Sequence, residues 1–497
     1  MIRPFDNSGI TRGPDGIARY EGLHNSLLEM LHQTVTQTPE AEAVVELGGP
    51  RVSYRQLWDA AARVAGGLKR QGIKRGDRAA IQLGNGLDWC LAFFGTLMAG
   101  AVVVPVNTRF SESEVAYVIS DSGSSFTFLP GQPLPDGDPF AVEDLSQGDL
   151  AAIFYTSGTT GFPKGAMTTH ENFLSNVETC FRVVDLPRDG SVRNLVSVPL
   201  FHVTGCNSQL LPTCAAGGAT VIMPAFEVQA FLAAIGQERL NLLTSVPAIF
   251  WLAINQPNFT EIDTAGVRWV TYGGAPELVG RIMDAFPNAR VGNGFGLTET
   301  SSVSTFLPHE YSREHAETVG FAAPVVDLDL FEVNAESGVG ELLVRGPNVV
   351  KGYWNKPEAT AETFVGGWLH TGDLARIDRD GFVQIVDRKK DMINRGGENV
   401  YCVEVENALA AHPAVFEVAV VGVPDEMMGE KVGAVIVLRP GQQAAASEII
   451  SFAREHLADF KVPQYLVLRQ ELLPRNPGGK ILKPVLRKGI EWGQPIH

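Results

Sequence analysis

Three observations predict an α/β fold of layered, largely parallel sheets with two smaller units appended. From about Leu27 onward, short β-branched runs alternate with segments of helical period, the pattern of strands joined by crossover helices. Residues 325–388 then change character, with short apolar runs divided by Gly-rich turns, which reads as a small β subdomain. Beyond the charged break Asp387-Arg388-Lys389-Lys390-Asp391, two helical and two strand patterns make a compact α+β unit of domain size. At 497 residues the chain is too long for one core.

Residues 1–25 are polar and contain Gly and Pro, and are expected to lie over the surface as a tail. Tyr54 to Gln71 is an amphipathic helix with Leu57, Ala61, Val64 and Leu68 on one face. A strand follows at Ala79–Leu83. The apolar stretch from Leu91 to Val106, broken by Gly95, Gly100 and Pro105, is too short for a membrane span and reads as a buried helix then a buried strand. Residues 130–149 form a loop. Further strands are expected at Asn194–Val198, Ala219–Met223 and Leu242–Val246, and in the β subdomain at Glu341–Val344 and Phe382–Val386. In the last unit the order is helix Val403–Ala410, strand Val415–Val421, strand Val432–Leu438, helix Ser447–Leu457.

Composition narrows the function. The hydrophobic fraction of 45% is that of a globular protein, and the net charge of −16 with no basic stripe argues against nucleic acid and anionic membrane surfaces as partners. The N-terminal residues lack the apolar run of a signal peptide, so a cytoplasmic location is expected. Five scattered cysteines without a C-x-x-C pair fit a reducing compartment and no zinc site; buried, small apolar roles suit most of them.

The segment richest in chemistry is Tyr155-Thr156-Ser157-Gly158-Thr159-Thr160-Gly161-Phe162-Pro163-Lys164-Gly165. It places four aliphatic hydroxyls, three glycines and one lysine directly after the apolar run Ala151–Phe154. A strand ending in such a loop offers backbone N–H groups, hydroxyls and a cation to one point, which is what a polyphosphate needs. Pro163 before the lysine and Gly165 after it depart from the G-x-x-x-x-G-K-[ST] spacing and disfavour an ordinary P-loop.

Three further segments follow in order: Gly292-Asn293-Gly294-Phe295-Gly296-Leu297-Thr298-Glu299-Thr300; Trp368-Leu369-His370-Thr371-Gly372-Asp373 with Asp387–Ile393 and Gly396-Gly397-Glu398-Asn399; and Pro474-Arg475-Asn476-Pro477-Gly478-Gly479-Lys480. With the hydroxyl-rich loop they resemble the adenylate-forming superfamily of acyl-CoA synthetases, luciferase and peptide-synthetase adenylation domains. The resemblance spans about residues 27 to 490. Pro199-Leu200-Phe201-His202-Val203 and Gly396–Tyr401 look most like the fatty-acid and aryl-CoA ligases. It implies a large N-terminal AMP- and acyl-binding domain over 1–389 and a small mobile C-terminal domain over 390–497, hinged at Lys390.

The implied reaction has two halves: a carboxylate attacks the α-phosphorus of ATP, and the thiolate of coenzyme A then displaces AMP from the acyl-AMP. By the same resemblance, Thr156, Ser157, Gly158, Thr159, Thr160 and Lys164 cradle the β- and γ-phosphates. Thr298 touches the α-phosphate region and Glu299 holds Mg²⁺, for which a carboxylate is a suitable hard ligand. Gly274, Ala275 and Pro276 form a wall for adenine. Asn293, Gly294 and Gly296 lie beside that ring, and Phe295 stacks on it in place of the usual tyrosine. Asp373 accepts from the ribose hydroxyls and Arg388 assists. Lys480 bridges the attacking carboxylate and the α-phosphate, in a loop with Gly478 where Thr or Ser is more usual. Gly396, Gly397 and Glu398 contact coenzyme A. The acyl pocket draws on His202, Val203, Val246, Tyr272 and Gly273; His202 either gates pantetheine entry or is a structural residue. Asn207, Ser208 and Gln209 are placed outside the pocket.

The expectation is therefore a Mg²⁺- and ATP-dependent acyl-CoA ligase acting on a medium- or long-chain fatty acid. An aryl-CoA ligase of the coumarate or ferulate type is the runner-up. A ligase loading a carrier protein is the second alternative, disfavoured by the absence of an insertion that would hinder rotation. The expected partners are the acid, ATP and coenzyme A, with a homodimer left open.

Overall fold

The computed structural model describes residues 2–156, 163–274, 276–396, 398–475 and 481–496. The layered α/β expectation holds. One sheet has nine strands in the order Phe321–Ala322, Thr305–Leu307, Arg290–Phe295, Trp269–Tyr272, Leu242–Thr244, Arg193–Val196, Ala219–Ile222, Glu42–Glu46 and Arg51–Ser53. Its six central strands run parallel, with antiparallel strands at both edges. A second sheet orders Ser124–Phe128, Arg78–Ile81, Val102–Pro105, Leu150–Thr156 and Lys164–Thr169; only its last pair is antiparallel.

Helices between the sheets supply the main core. Leu57, Ala61 and Leu68 from Tyr54–Arg70, Trp89, Phe93 and Phe94 from Leu87–Met98, and Phe173 from His170–Val184 pack with Val44 and Ile222 of the first sheet and Val103 and Phe154 of the second. Covered on both faces, these strands need unbroken apolar runs, which is why they were legible. The helix Tyr54–Arg70 starts where a capping box at Ser53 and Gln56 satisfies the first N–H groups, and it ends with Lys69 and Arg70 at its negative pole. Gly66 and Gly67 admit the expected loop against this helix, since a Cβ on Gly66 would lie 1.9 Å from the Asp138 carbonyl oxygen.

The β subdomain is an antiparallel sheet of Asp327–Phe331, Gly340–Arg345, Trp368–Ile377, Phe364–Val365 and Val383–Arg388. The C-terminal unit has strands Ile393–Arg395, Glu398–Val400, Val415–Asp425, Gly429–Leu438 and Tyr465–Arg469, with helices Cys402–Ala410, Ala446–His456 and Lys483–Gly489. All five cysteines are buried, and no helix among the described residues is long and apolar enough to cross a membrane.

The N-terminal segment departs from expectation. It forms a two-stranded ribbon, Ile10–Arg12 with Ala18–Tyr20, and it buries Phe5 and Tyr20 instead of lying on the surface. Tyr20 shares a hydrogen bond of 2.9 Å with Thr179, and Arg19 pairs with Asp15 and Glu171. The polar pattern of this stretch hides two aromatic anchors whose partners lie far along the chain.

The last strand of the β subdomain stops at Arg388, residues 389–391 turn, and Ile393 begins the C-terminal sheet. Several contacts join the units, among them Tyr401 packed with Val339, Leu374 and Val386 of the β subdomain. Trp251 meets Phe416 edge-on with ring centroids 5.3 Å apart. Asp387, only 2% exposed, accepts hydrogen bonds from its neighbour Arg388 N–H at 2.7 Å and from Cys402 N–H at the start of the first C-terminal helix. Behind that helix, Lys483 pairs with Glu406 at 2.8 Å. Burial pushes the Asp387 carboxyl up to about 6, against the opposing pull of Lys483 and the two N–H donors. A carboxyl raised from 3.8 to about 6 contributes stability that is full below the lower value and is lost as pH rises through the upper one, at most about 3 kcal/mol. Asp387→Asn removes this dependence. The melting temperature of the wild type minus that of the variant should therefore fall between pH 4.5 and 7.5; a flat difference in a thermal-melt series would contradict the assignment.

Candidate active site

Parallel pairing brings the carboxyl ends of Arg193–Val196, Leu242–Thr244, Trp269–Tyr272 and Arg290–Phe295 to one edge of the large sheet. The segments that follow each strand carry many of the residues singled out from sequence: His202 and Val203, Val246, Gly273 to Pro276, and Gly296 to Glu299. Such an edge is where open α/β sheets bind ligands. A cavity of about 560 Å³ between the N-terminal segment and the β subdomain is lined by none of these residues.

Gly274 sits at φ +81°, a conformation that suits glycine, and its N–H donates to Asn293 Oδ1 at 3.0 Å. Asn293 is 2% exposed and its Nδ2 donates to the Thr318 carbonyl at 3.2 Å. Both ends of this side chain therefore hold backbone, so Asn293 braces the Gly274 turn. Gly294 faces the same turn, since a Cβ on Gly273 would meet its carbonyl at 3.1 Å. Phe295 ends the strand half-buried and packs against the cluster that contains Phe306 and Phe321. Tyr272 is buried, Pro276 opens a short 3₁₀ turn, and Ala275 lies outside the described residues.

The turn Thr298–Thr300 presents Glu299. Behind it Ser301 and Ser302 adopt φ of 53° and 113°, costly for residues with a side chain. Buried amides hold the strained segment. Asn348 Nδ2 donates to the carbonyls of Thr300 and Val303 at 3.2 and 3.3 Å. Asn176 accepts from Val303 N–H at 3.0 Å and donates to the Asn207 carbonyl at 2.7 Å; Asn207 donates to the Ser301 carbonyl at 3.0 Å. Ser208 Oγ bonds Ser302 Oγ at 2.6 Å, and Gln209 ties the carbonyls of Leu195 and Thr244 on neighbouring strands. Asn207 and Gln209 are thus fully buried struts on a π-helical turn, Cys206–Leu210.

The phosphate-loop hairpin pairs Thr156 with Lys164 across its mouth; Ser157, Gly158, Thr159 and Thr160 lie outside the described residues. A segment absent from the sequence reading docks on its second strand: Met167 N–H donates to the Gly352 carbonyl, and Trp354 N–H to that of Gly165. This places Tyr353 between two predicted site residues. Its hydroxyl donates to Glu299 Oε1 at 2.7 Å, and the Lys164 ammonium lies 5.0 Å from its ring centroid.

On the β subdomain, Asp373 and Arg388 are paired across adjacent strands and joined by an ion pair of 2.5 Å with Asp373 almost wholly buried. Glu341 accepts from Gly372 N–H and from Lys389 Nζ, both at 3.1 Å, fixing the turn before Asp373. Lys390 lies in the turn between the units, where partial desolvation pulls its ammonium below the usual lysine range. Gly396 takes φ +62° and Glu398 is exposed on the next strand; Gly397 and Lys480 lie outside the described residues. Arg475 and Ile481 form an antiparallel bridge. On the acyl side, Val246 is 44% exposed and leads into the wholly apolar helix Pro247–Ile254, while His202 packs on Phe201 with centroids 4.7 Å apart.

Among the described residues no group of three or more His, Cys, Asp or Glu is placed to cage a metal. Glu299 beside the Thr298 hydroxyl offers one hard carboxylate, which fits Mg²⁺ delivered on a phosphate ligand and retaining its waters.

The AMP-binding enzyme family matches residues 31–136 and 131–354, and its C-terminal domain matches 404–480. The chain belongs to the AMP-binding enzyme family. Within this family it is 36% identical, over 92% of its length and 97% of the relative, to the long-chain fatty-acid–CoA ligase FadD13 of Mycobacterium tuberculosis. It is also 36% identical to a feruloyl-CoA synthase of Amycolatopsis, over 91% and 96%. Among solved structures it resembles o-succinylbenzoate CoA synthetase of Bacillus subtilis bound to its acyl-adenylate (TM-score 0.84, 29% identity, 92% and 98% covered). The Mycobacterium tuberculosis fatty acyl CoA synthetase matches with TM-score 0.72 and 33% identity, over 93% and 98%. The enzyme class anticipated from the motifs, an AMP-forming acid–thiol ligase, stands. Gly296 tests whether this turn belongs to the reacting site. A Cβ there would lie 1.3 Å from the Ser302 carbonyl oxygen, so Gly296→Ala must displace the Glu299 turn. ATP–pyrophosphate exchange should drop by about 100-fold, the scale of a 1 Å misplacement; near-normal exchange would show that this turn is not the reacting site.

Proposed function

We propose that this enzyme converts a medium- or long-chain fatty acid to its coenzyme A thioester through an acyl-AMP. The observation that carries the substrate class is Val246, 44% exposed, leading into the wholly apolar helix Pro247–Ile254, with no acidic residue from Ser245 to Trp251. An amino acid would need a buried counter-charge for its ammonium, and an unpaired buried charge is costly. The fatty-acid–CoA ligase relatives support the same reading.

In the first half-reaction Thr156 and Lys164, with the hydroxyls of Ser157, Thr159 and Thr160, hold the β- and γ-phosphates. The Gly274–Pro276 wall and Phe295 take adenine, and Asp373 accepts from the ribose. The carboxylate oxygen attacks the α-phosphorus, the bond to the bridging oxygen breaks, and pyrophosphate leaves. Lys480 lies between the two anions and offsets their repulsion; Mg²⁺ at Glu299 neutralises phosphate charge when bound. No covalent nucleophile is needed, so positioning and electrostatics carry the rate. The C-terminal unit then turns about Lys390, bringing Gly396, Gly397 and Glu398 to coenzyme A, whose thiolate attacks the acyl carbon and expels AMP. His202 and Val203 border the acyl chain with Tyr272 and Gly273.

The aryl reading has one observation in its favour, the feruloyl-CoA synthase relative at equal identity. A series of acids from acetate to palmitate, with ferulate, benzoate and phenylalanine, separates the two by coenzyme A-dependent AMP release. Each buried CH₂ should raise kcat/KM roughly fourfold, about 0.8 kcal/mol, until the pocket is full. A preference for ferulate over every fatty acid would promote the aryl reading, and efficient use of phenylalanine would refute the apolar pocket. Lys480→Ala should slow acyl-AMP formation by a factor of about 100 or more, the worth of one oriented charge in a closed site. Thioester formation from supplied acyl-AMP should stay near normal. Equal losses in both halves would remove Lys480 from the first step.

A further inference from the structure

Tyr353 belongs to none of the motifs read from sequence, yet it touches two of the residues assigned to the phosphates and the metal. It is 6% exposed and tightly located. Its N–H donates to Thr360 Oγ1 at 3.0 Å, its backbone bridges Ala166 on the phosphate-loop hairpin, and its ring lies edge-on to Phe364 at 5.6 Å. From this fixed base the hydroxyl reaches Glu299 Oε1 at 2.7 Å, a charge-assisted hydrogen bond. The same ring lies under the Lys164 ammonium at 5.0 Å.

The two contacts do different work. A hydrogen bond to one oxygen orients a carboxylate, sets which oxygen faces outward, and tunes its affinity for a cation. A π-face attracts an ammonium without neutralising it, so the full charge of Lys164 stays available to a phosphate. Among the described residues no carboxylate forms an ion pair with Lys164, and the ring is the contact the structure gives it. We infer that Tyr353 is a positioning residue for nucleotide binding, holding the Glu299 carboxylate through its hydroxyl and the Lys164 ammonium through its ring. This inference deepens, and rests on, the assignment of Glu299 and Lys164 to magnesium and the ATP phosphates.

The test separates the two contacts. Tyr353→Phe keeps the ring and loses the hydroxyl; Tyr353→Leu loses both. Each variant is assayed by ATP–pyrophosphate exchange across a range of Mg²⁺ concentrations and by the rise in melting temperature on adding ATP with and without Mg²⁺. For Tyr353→Phe the Mg²⁺ needed for half-maximal exchange should rise about tenfold or more, the usual cost of losing a partner of a metal-binding carboxylate. At saturating Mg²⁺ its KM for ATP and its kcat should return close to wild type, as should the ATP-induced melting shift. Tyr353→Leu should add a roughly fivefold rise in the KM for ATP that Mg²⁺ does not rescue. A Mg²⁺ dependence of Tyr353→Phe equal to wild type, or a loss of kcat that excess Mg²⁺ leaves in place, would overturn the inference. If the wild-type protein shows no exchange with any acid, the ligase reading fails. In that event a Mg²⁺-dependent ATP melting shift that weakens in Tyr353→Phe and recovers with excess Mg²⁺ still supports the role of Tyr353, and an unchanged shift overturns it.

Discussion

The segment from Thr298 to Val303 is held in a conformation it would not adopt alone, and the placement of Glu299 depends on that. Ser301 and Ser302, both at positive φ, cost on the order of 1–3 kcal/mol each. Asn348, Asn176 and Asn207 return a comparable amount through five hydrogen bonds to or beside this segment, each worth about 1 kcal/mol net. The larger effect is negative. A buried carbonyl or N–H left without a partner costs more than a bond gains, so removing Asn348 or Asn176 strands two backbone groups at once. The amides come from the helix His170–Val184, the π-turn Cys206–Leu210 and the entry to residues 348–354. The turn bearing Glu299 is therefore registered against three elements distant in sequence.

This explains what the sequence disclosed and what it concealed. The hydroxyl-rich loop, the Gly292–Thr300 run and the segments bearing Asp373 and Arg388 could be singled out from sequence because each is a local motif, whose roles stand as proposed. Parallel strands buried on both faces were legible as continuous apolar runs, and the helix at Tyr54 by its period and cap. The braces were not. Asn176 reaches Val303 and Tyr353 reaches Glu299 across separations of 127 and 54 residues, and no local pattern marks an asparagine in a helix as a strut. Asn207 and Gln209 could be placed outside the pocket from sequence but not recognised as struts for the same reason, since a π-turn leaves no mark in a hydrophobic period. Phe5 and Tyr20 were hidden by the polar residues around them.

Asn293 shows how a resemblance and a structure can share a position and differ in emphasis. Its amide is engaged at both ends by backbone, Gly274 on one side and Thr318 on the other. On the proposed adenine site, its effect would therefore be indirect, through the shape of the Gly274 turn. The same division runs through the site: residues that meet solvent-facing space, such as Glu299 and Lys164, are each backed by a buried residue that meets only protein.

The pairing of the site's cations follows the demands placed on them. Arg388 is tied to a buried carboxylate, Asp373, across one rung of a sheet. An ion pair fixes both groups but spends most of the cation's field on its partner. Lys164 instead rests over an aromatic face, which fixes direction weakly and leaves the field intact. On the proposed role of Lys164, a group that attracts a polyanion from solvent and releases it as pyrophosphate is better served by the second arrangement. A carboxylate partner would compete with the incoming phosphates at close range. On the proposed alternation of domains, Asp387 follows the same logic at the junction. A carboxylate buried at a cost at neutral pH makes the observed docking of the C-terminal unit weaker than an apolar contact of equal size. A unit that has to leave this docked position in every turnover needs an interface of that limited strength.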